Sequence, residues 1–183
     1  MAGILKVDKY QDFNGNDIMT SDGAGNITIN AAISGQNYPA FEAYVSSTQT
    51  VSDSVATKVQ FDTEVFDEGG VYDNSTNYRF TPTVAGKYYV YTGLQCYANA
   101  VSSLARAHIQ IYKNGSIVRD GWNDPSNNYG RFWSPTRQAT MNLAVGDYIE
   151  IYTIIDVTSG SGNLYSAAGT EQGNYFGAYR IGA

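Results

Sequence analysis

Residues 78–95 read YRFTPTVAGKYYVYTGLQ. A short aromatic run meets a proline, then Gly86, and after the glycine the residues alternate in character. Side chains in a strand point to opposite faces with a period of two. Continued to residue 97, this alternation puts Tyr88, Val90, Thr92, Leu94 and Cys96 on one face. Tyr89, Tyr91, Gln95 and Tyr97 fall on the other. The first set reads as core. The second reads as something other than a solvated face, because tyrosine combines a large apolar ring with a polar tip and suits a subunit interface.

The same alternation recurs on both sides of this stretch. Downstream, Ala105, Ala107, Ile109 and Ile111 share an expected core face, opposite Arg106, His108, Gln110 and Tyr112. Ile149 and Ile151 oppose Tyr148, Glu150 and Tyr152, and in the last run Phe176 and Ala178 oppose Tyr175, Gly177 and Tyr179. Lys113-Asn114-Gly115 is a two-residue hairpin signal, and Val145-Gly146-Asp147 separates two further strands. About ten short strands without an amphipathic helix predict an all-β sandwich or jelly roll. Residues 1–36 differ. They hold few large apolar residues, an alternating start (Leu5, Val7, Lys9) and a hairpin signal in DIMTS-DGAG-NITIN. The expected organisation is an N-terminal attachment segment, 1–36, and a jelly-roll unit, 37–183.

Composition narrows the function. The chain has 183 residues, 19 glycines, 16 tyrosines and a net charge of −6. An acidic surface repels a phosphate backbone, so neither nucleic acid nor an anionic membrane is an expected partner. No apolar run reaches the ~20 residues that span a bilayer. No signal peptide is legible at the start, so synthesis in a cytoplasm is expected and Asn26, Asn74 and Asn114 read as chance glycosylation triplets.

Residues 39–41, 59–73, 78–95, 111–115, 143–152 and 175–179 together resemble the complement C1q and tumour necrosis factor jelly-roll superfamily, in its C1q-like branch. The resemblance runs from about Pro39 to Ala183. It implies a compact homotrimer whose inner sheet packs around a three-fold axis, with Tyr89, Tyr91, Tyr175 and Tyr179 at the interface. The start of the chain, ILKVDKYQDFNGNDI followed by GNITIN, resembles the leading segments of bacteriophage virion proteins. Together the two imply a phage fibre or virion appendage, such as a tail fibre. Its trimeric knob would bind a host-surface receptor, a glycan or a protein, and residues 1–36 would join it to other virion proteins. Alternatives left open are a purely structural virion part, such as a capsid decoration or head fibre, and more distantly a glycan-cleaving enzyme.

Candidate chemistry is sparse. His108 is the only histidine and Cys96 the only cysteine, and Cys96 falls on the core face. No nucleophile elbow, zinc motif or phosphate loop occurs, so neither an enzyme nor a cofactor is expected. Asp62, Glu64, Asp67, Glu68 and Asp73 form an acidic stretch without EF-hand spacing, and no metal is assigned to it. The stretch 119–135, RDGWNDPSNNYGRFWSP, reads as a long loop. It gathers Trp122, Tyr129, Phe132 and Trp133 among Asp, Asn and Gly. Flat rings stack on sugar C–H faces while Asn and Asp take hydroxyls, so these four are the candidate ligand-binding residues. The same composition also suits a loop folded on its own aromatics.

Overall fold

The structure is a computed structural model that describes residues 7–29, 38–124, 128–166 and 173–182. The chain divides into two compact units, Met1–Gln36 and Asn37–Ala183. No described residue is helical, and all paired strands run antiparallel.

In the first unit β1 (Lys9–Gln11), β2 (Asp17–Ser21) and β3 (Ile27–Ile29) form a sheet in chain order. Its two turns use one chemistry. The Asp12 carboxylate accepts the N–H groups of Asn14 and Asn16 at 2.9 Å each and the Asn16 side-chain amide at 2.9 Å. Asp22 accepts from Ala24, Asn26 and the Asn26 side chain in the same way. Asp-x-x-Gly-Asn therefore closes two turns. The sequence reading had recognised one hairpin; the structure has a three-stranded meander. Its strand β1 begins at Lys9, and Leu5 lies outside the described residues. Tyr10 pairs opposite Met19, and both are exposed, as is Ile27. So small a sheet with an open apolar face lacks a core of its own.

The second unit begins with β4 (Ala40–Tyr44), β5 (Gln49–Val51), β6 (Thr57–Lys58), β7 (Thr63–Glu68), β8 (Tyr72–Asp73), β9 (Arg79–Phe80) and β10 (Gly86–Gly93). It continues with β11 (Cys96–Ala98), β12 (Leu104–Lys113), β13 (Ser116–Asn123), β14 (Phe132–Trp133) and β15 (Thr136–Leu143). The last are β16 (Ile149–Val157), β17 (Gly162–Leu164) and β18 (Tyr175–Gly182). One sheet has the order β15-β10-β18-β4-β7, and β14-β11-β17-β5 repeats its lateral order from adjoining segments of chain. The opposing sheet is β13-β12-β16-β9-β8, with β6 on β16. Aromatics from both layers meet between them. Phe41 stacks on Tyr72 and Phe80 at 4.5 and 5.0 Å, and Phe176 meets Phe41 edge-on at 4.9 Å.

Three local features set the registers. Asn174, almost fully buried, brackets the break between β10 and β11: its side chain accepts from Gln95 N at 2.7 Å and donates to Tyr165 O at 2.5 Å. Lys113 pairs with Ser116 around Asn114-Gly115, as a two-residue hairpin requires. By contrast β15 and β16, which flank Val145-Gly146-Asp147, do not pair with each other. β15 joins β10 and β16 joins β12, so this turn crosses between layers. One expectation is corrected: Leu104 is fully buried while Ala105 is only half-buried. A bulge between Leu104 and Arg106 shifts the register there and turns Ala105 out of the core.

Candidate functional site

Outward from the core, the five-stranded sheet carries its tyrosines in cross-strand rows. Register sets Ala40, Tyr179, Tyr89 and Thr140 in one row. Phe66, Glu42, Gly177, Tyr91 and Gln138 make the next, and Tyr44, Tyr175, Gly93 and Thr136 a third. Tyr89, Tyr91, Tyr175 and Tyr179 are thereby brought together on one face. Tyr89 lies 5.9 Å from Tyr91 and 5.5 Å from Tyr179, and Tyr91 lies 6.3 Å from Tyr175. With Thr136 and Gln138 they line a groove of ≈ 360 Å³.

Two glycines make this arrangement possible. A Cβ on Gly177 would stand 2.4 Å from the Tyr91 ring, and one on Gly93 would stand 2.6 Å from the Tyr175 ring. Each tyrosine thus lies flat across a neighbouring strand that offers no side chain. Tyr91 reaches over Gly177 and donates its hydroxyl to Glu42 at 2.7 Å. Burial, reinforced by that carboxylate, holds the Tyr91 phenol well above the ordinary tyrosine range. Glu42 was not among the residues singled out from sequence. Only the tertiary pairing β10-β18-β4 brings it to Tyr91.

The stretch 119–135 is not one loop. Arg119–Asn123 belongs to β13 and Phe132–Trp133 forms β14, while residues 125–127 lie outside the described set. The cause is continued pairing after the hairpin turn, with a bulge between Ile111 and Tyr112 that places Trp122 opposite His108. Without the bulge Trp122 would take the alternate face. The four candidate aromatics accordingly part company. Trp122 is 55% exposed and stacks on His108, rings 5.4 Å apart and 24° from parallel. Phe132 instead packs on Tyr97 at 4.7 Å and Tyr165 at 5.2 Å. Arg131 lies over the Tyr97 ring at 5.1 Å and donates to its hydroxyl. Because β10 and β11 keep one alternation, Tyr97 sits on the same side as Tyr91, so this cluster prolongs the tyrosine face. Trp133 packs partly against the core, and Tyr129 is half-buried.

Asp62, Asp67 and Asp73 of the acidic stretch have structural duties. Asp62 accepts the backbone and hydroxyl of Ser46. Asp67 accepts Val71 N and Tyr72 N. Asp73 accepts the N–H groups of Thr76, Ser75 and Asn77 and the Asn77 side-chain amide, which hold its carboxyl down to about 2. Among the described residues no three His, Cys, Asp or Glu side chains gather as metal ligands. Cys96 is fully buried, which pushes its thiol up to about 12 and leaves it protonated. His108 Nδ1 lies 3.3 Å from Asp120. Its ring stacks on Trp122.

No family model matches the chain, and no curated protein is found to be similar to it. Solved structures do resemble it. The globular domain of zebrafish complement 1qA protein matches with a TM-score of 0.55 at 17% identity, covering 78% of this chain and 97% of that one. Murine APRIL at pH 5.0 matches with a TM-score of 0.56 at 12% identity, covering 78% and 98%. The fold of this chain is the C1q/TNF-like jelly roll.

Proposed function

We propose, from this C1q/TNF-like jelly roll, that the second unit assembles as a homotrimer through its tyrosine face. The trimer would serve as the receptor-binding knob of a bacteriophage virion appendage, with residues 1–36 attaching it to other virion proteins. The protein acts by binding and not by catalysis. The observation that carries the reading is the tyrosine face: Tyr89, Tyr91, Tyr175 and Tyr179 in mutual contact on the outside of a sheet whose other side is already filled with core. Aromatic rings clustered on the outer side of a sheet, each with an apolar body and a polar tip, suit an interaction surface. Each ~100 Å² of it covered by a neighbouring copy contributes about 2.5 kcal/mol before the costs of association. The Tyr97, Phe132 and Tyr165 cluster prolongs the same surface and belongs to the same interface.

Sedimentation of the intact protein at micromolar concentration tests the assembly, with a trimer expected. A clean monomer sinks the reading. Tyr91→Asp places an unpaired carboxylate beside Glu42 in the covered face and is expected to yield monomers that remain folded. Labelled protein is further expected to bind host cells, which a capsid decoration would not do.

A further inference from the structure

The outward side of the six-stranded sheet carries a second, chemically different surface. Register sets Trp122, His108 and Ile154 in one row, with Asp120, Gln110, Tyr152 and Lys58 in the next. The Trp122 indole is backed on one face by His108 and is 55% exposed to water. His108 Nδ1 lies in turn 3.3 Å from Asp120, so ring, imidazole and carboxylate stand side by side. Beside it the Asp120 carboxylate, 32% exposed, receives two long contacts among the described residues, 3.3 Å from His108 and 3.3 Å from Gln110 Nε2. A carboxylate offers about four acceptor positions, so several remain for incoming hydroxyl donors. The cations of this face are already engaged, Lys58 with Glu150 at 2.6 Å and Arg106 with Asp156.

We propose that Trp122 and Asp120 form a binding platform for a neutral hexopyranose of a cell-surface polysaccharide. The C–H face of the sugar lies on the open side of the indole. Neighbouring ring hydroxyls donate to Asp120, whose carboxylate the buried Gln110 amide supports from below. A single exposed aromatic is unremarkable on its own. Here a ring backed by His108 stands next to an under-used acceptor, the combination of flat apolar surface and a directional polar group that sugar recognition uses. Paired cations beside an acidic carboxylate give a phosphate or a sugar acid nothing to bind, which selects a neutral ring. The platform lies on the layer opposite the tyrosine face, so a trimer closed through the tyrosines leaves three copies open. Only that multivalent use rests on the trimer reading; capture of one sugar ring does not.

Saturation-transfer NMR on the intact chain tests the proposal, with methyl glycosides of glucose, galactose, mannose and N-acetylglucosamine as probes at millimolar concentration. Transfer to at least one of them is expected. Trp122→Ala should weaken that binding about tenfold or more, whereas Phe132→Ala should leave it unchanged. Asp120→Ser, which keeps the indole, should also weaken it, and so guards against a Trp122→Ala protein that fails to fold. Transfer to none of the glycosides overturns the proposal, as does binding that survives both Trp122→Ala and Asp120→Ser, or binding lost only in Phe132→Ala. Sedimentation of the same samples separates the two readings. A monomer that still binds sugar refutes the trimer alone, and a trimer that binds none refutes the platform alone.

Discussion

Asp73 and Asp147 are two carboxylates whose work is local. Asp147 bonds to Lys113 at 2.8 Å, to Asn114 Nδ2 at 2.7 Å and to Ala144 N at 2.8 Å, and these partners, Lys113 first, hold it down to about 2. Asp73 is held equally low by the N–H groups around it, Thr76 first. A carboxyl whose folded pKa is depressed stabilises the fold above its unfolded value, near 4, and loses that contribution as pH falls through the folded value. Melting temperature should therefore drop between about pH 4 and pH 2, and Asp147→Asn should flatten part of that drop. A melt independent of pH across this window would refute the assignment. Gly177 poses a different kind of test. Its Cβ in Gly177→Ala would meet the far end of Tyr91, a side chain able to swing aside. The monomer should stay folded at a cost of about 1–3 kcal/mol. The Tyr91–Glu42 hydrogen bond and the flat tyrosine surface should be lost, and with them the trimer, as read by sedimentation.

Among the elements, what matters is where strands stop and change partner. The Asn174 side chain serves Gln95 N and Tyr165 O at the break in β10–β11, and its own carbonyl accepts Val45 N at 3.1 Å. Asn174→Ala strands an N–H and a carbonyl together, so denaturant unfolding should report a loss of about 2 kcal/mol or more. Sequence reading recovered the alternating faces of β10, β16 and β18 because a period of two is a local signal. It missed the bulges at Ala105 and before Tyr112, which no residue type announces. The second of these decides the outward face of Trp122, and a one-residue slip reverses every side chain beyond it. The Val145-Gly146-Asp147 turn was legible as a turn but not as a crossing between layers. Asn114 also clasps it, donating to Asp147 and accepting Tyr148 N at 2.8 Å. That contact joins two turns distant in sequence.

At the scale of the whole molecule, the second unit has its own filled core, and the first has a sheet with Tyr10, Met19 and Ile27 exposed. A protein beginning at Gln36 should keep a cooperative melt and, on the proposed reading, assemble as a trimer yet fail to join virions. If that truncation abolishes the melt, residues 1–36 contribute to the core after all. The all-β class, the alternating core and the tyrosine composition of one outer face are legible along the chain. These follow from strand period and turn chemistry, which are written in neighbouring residues. Which outward residues meet is set by the packing of the strands. It carried Glu42 to Tyr91 across Gly177, sent Phe132 to Tyr97 and Tyr165, and left Trp122 with His108 on the opposite layer. Such meetings depend on strand order and bulges, which arise when separate segments pack against one another and have no counterpart in the order of residues along the chain.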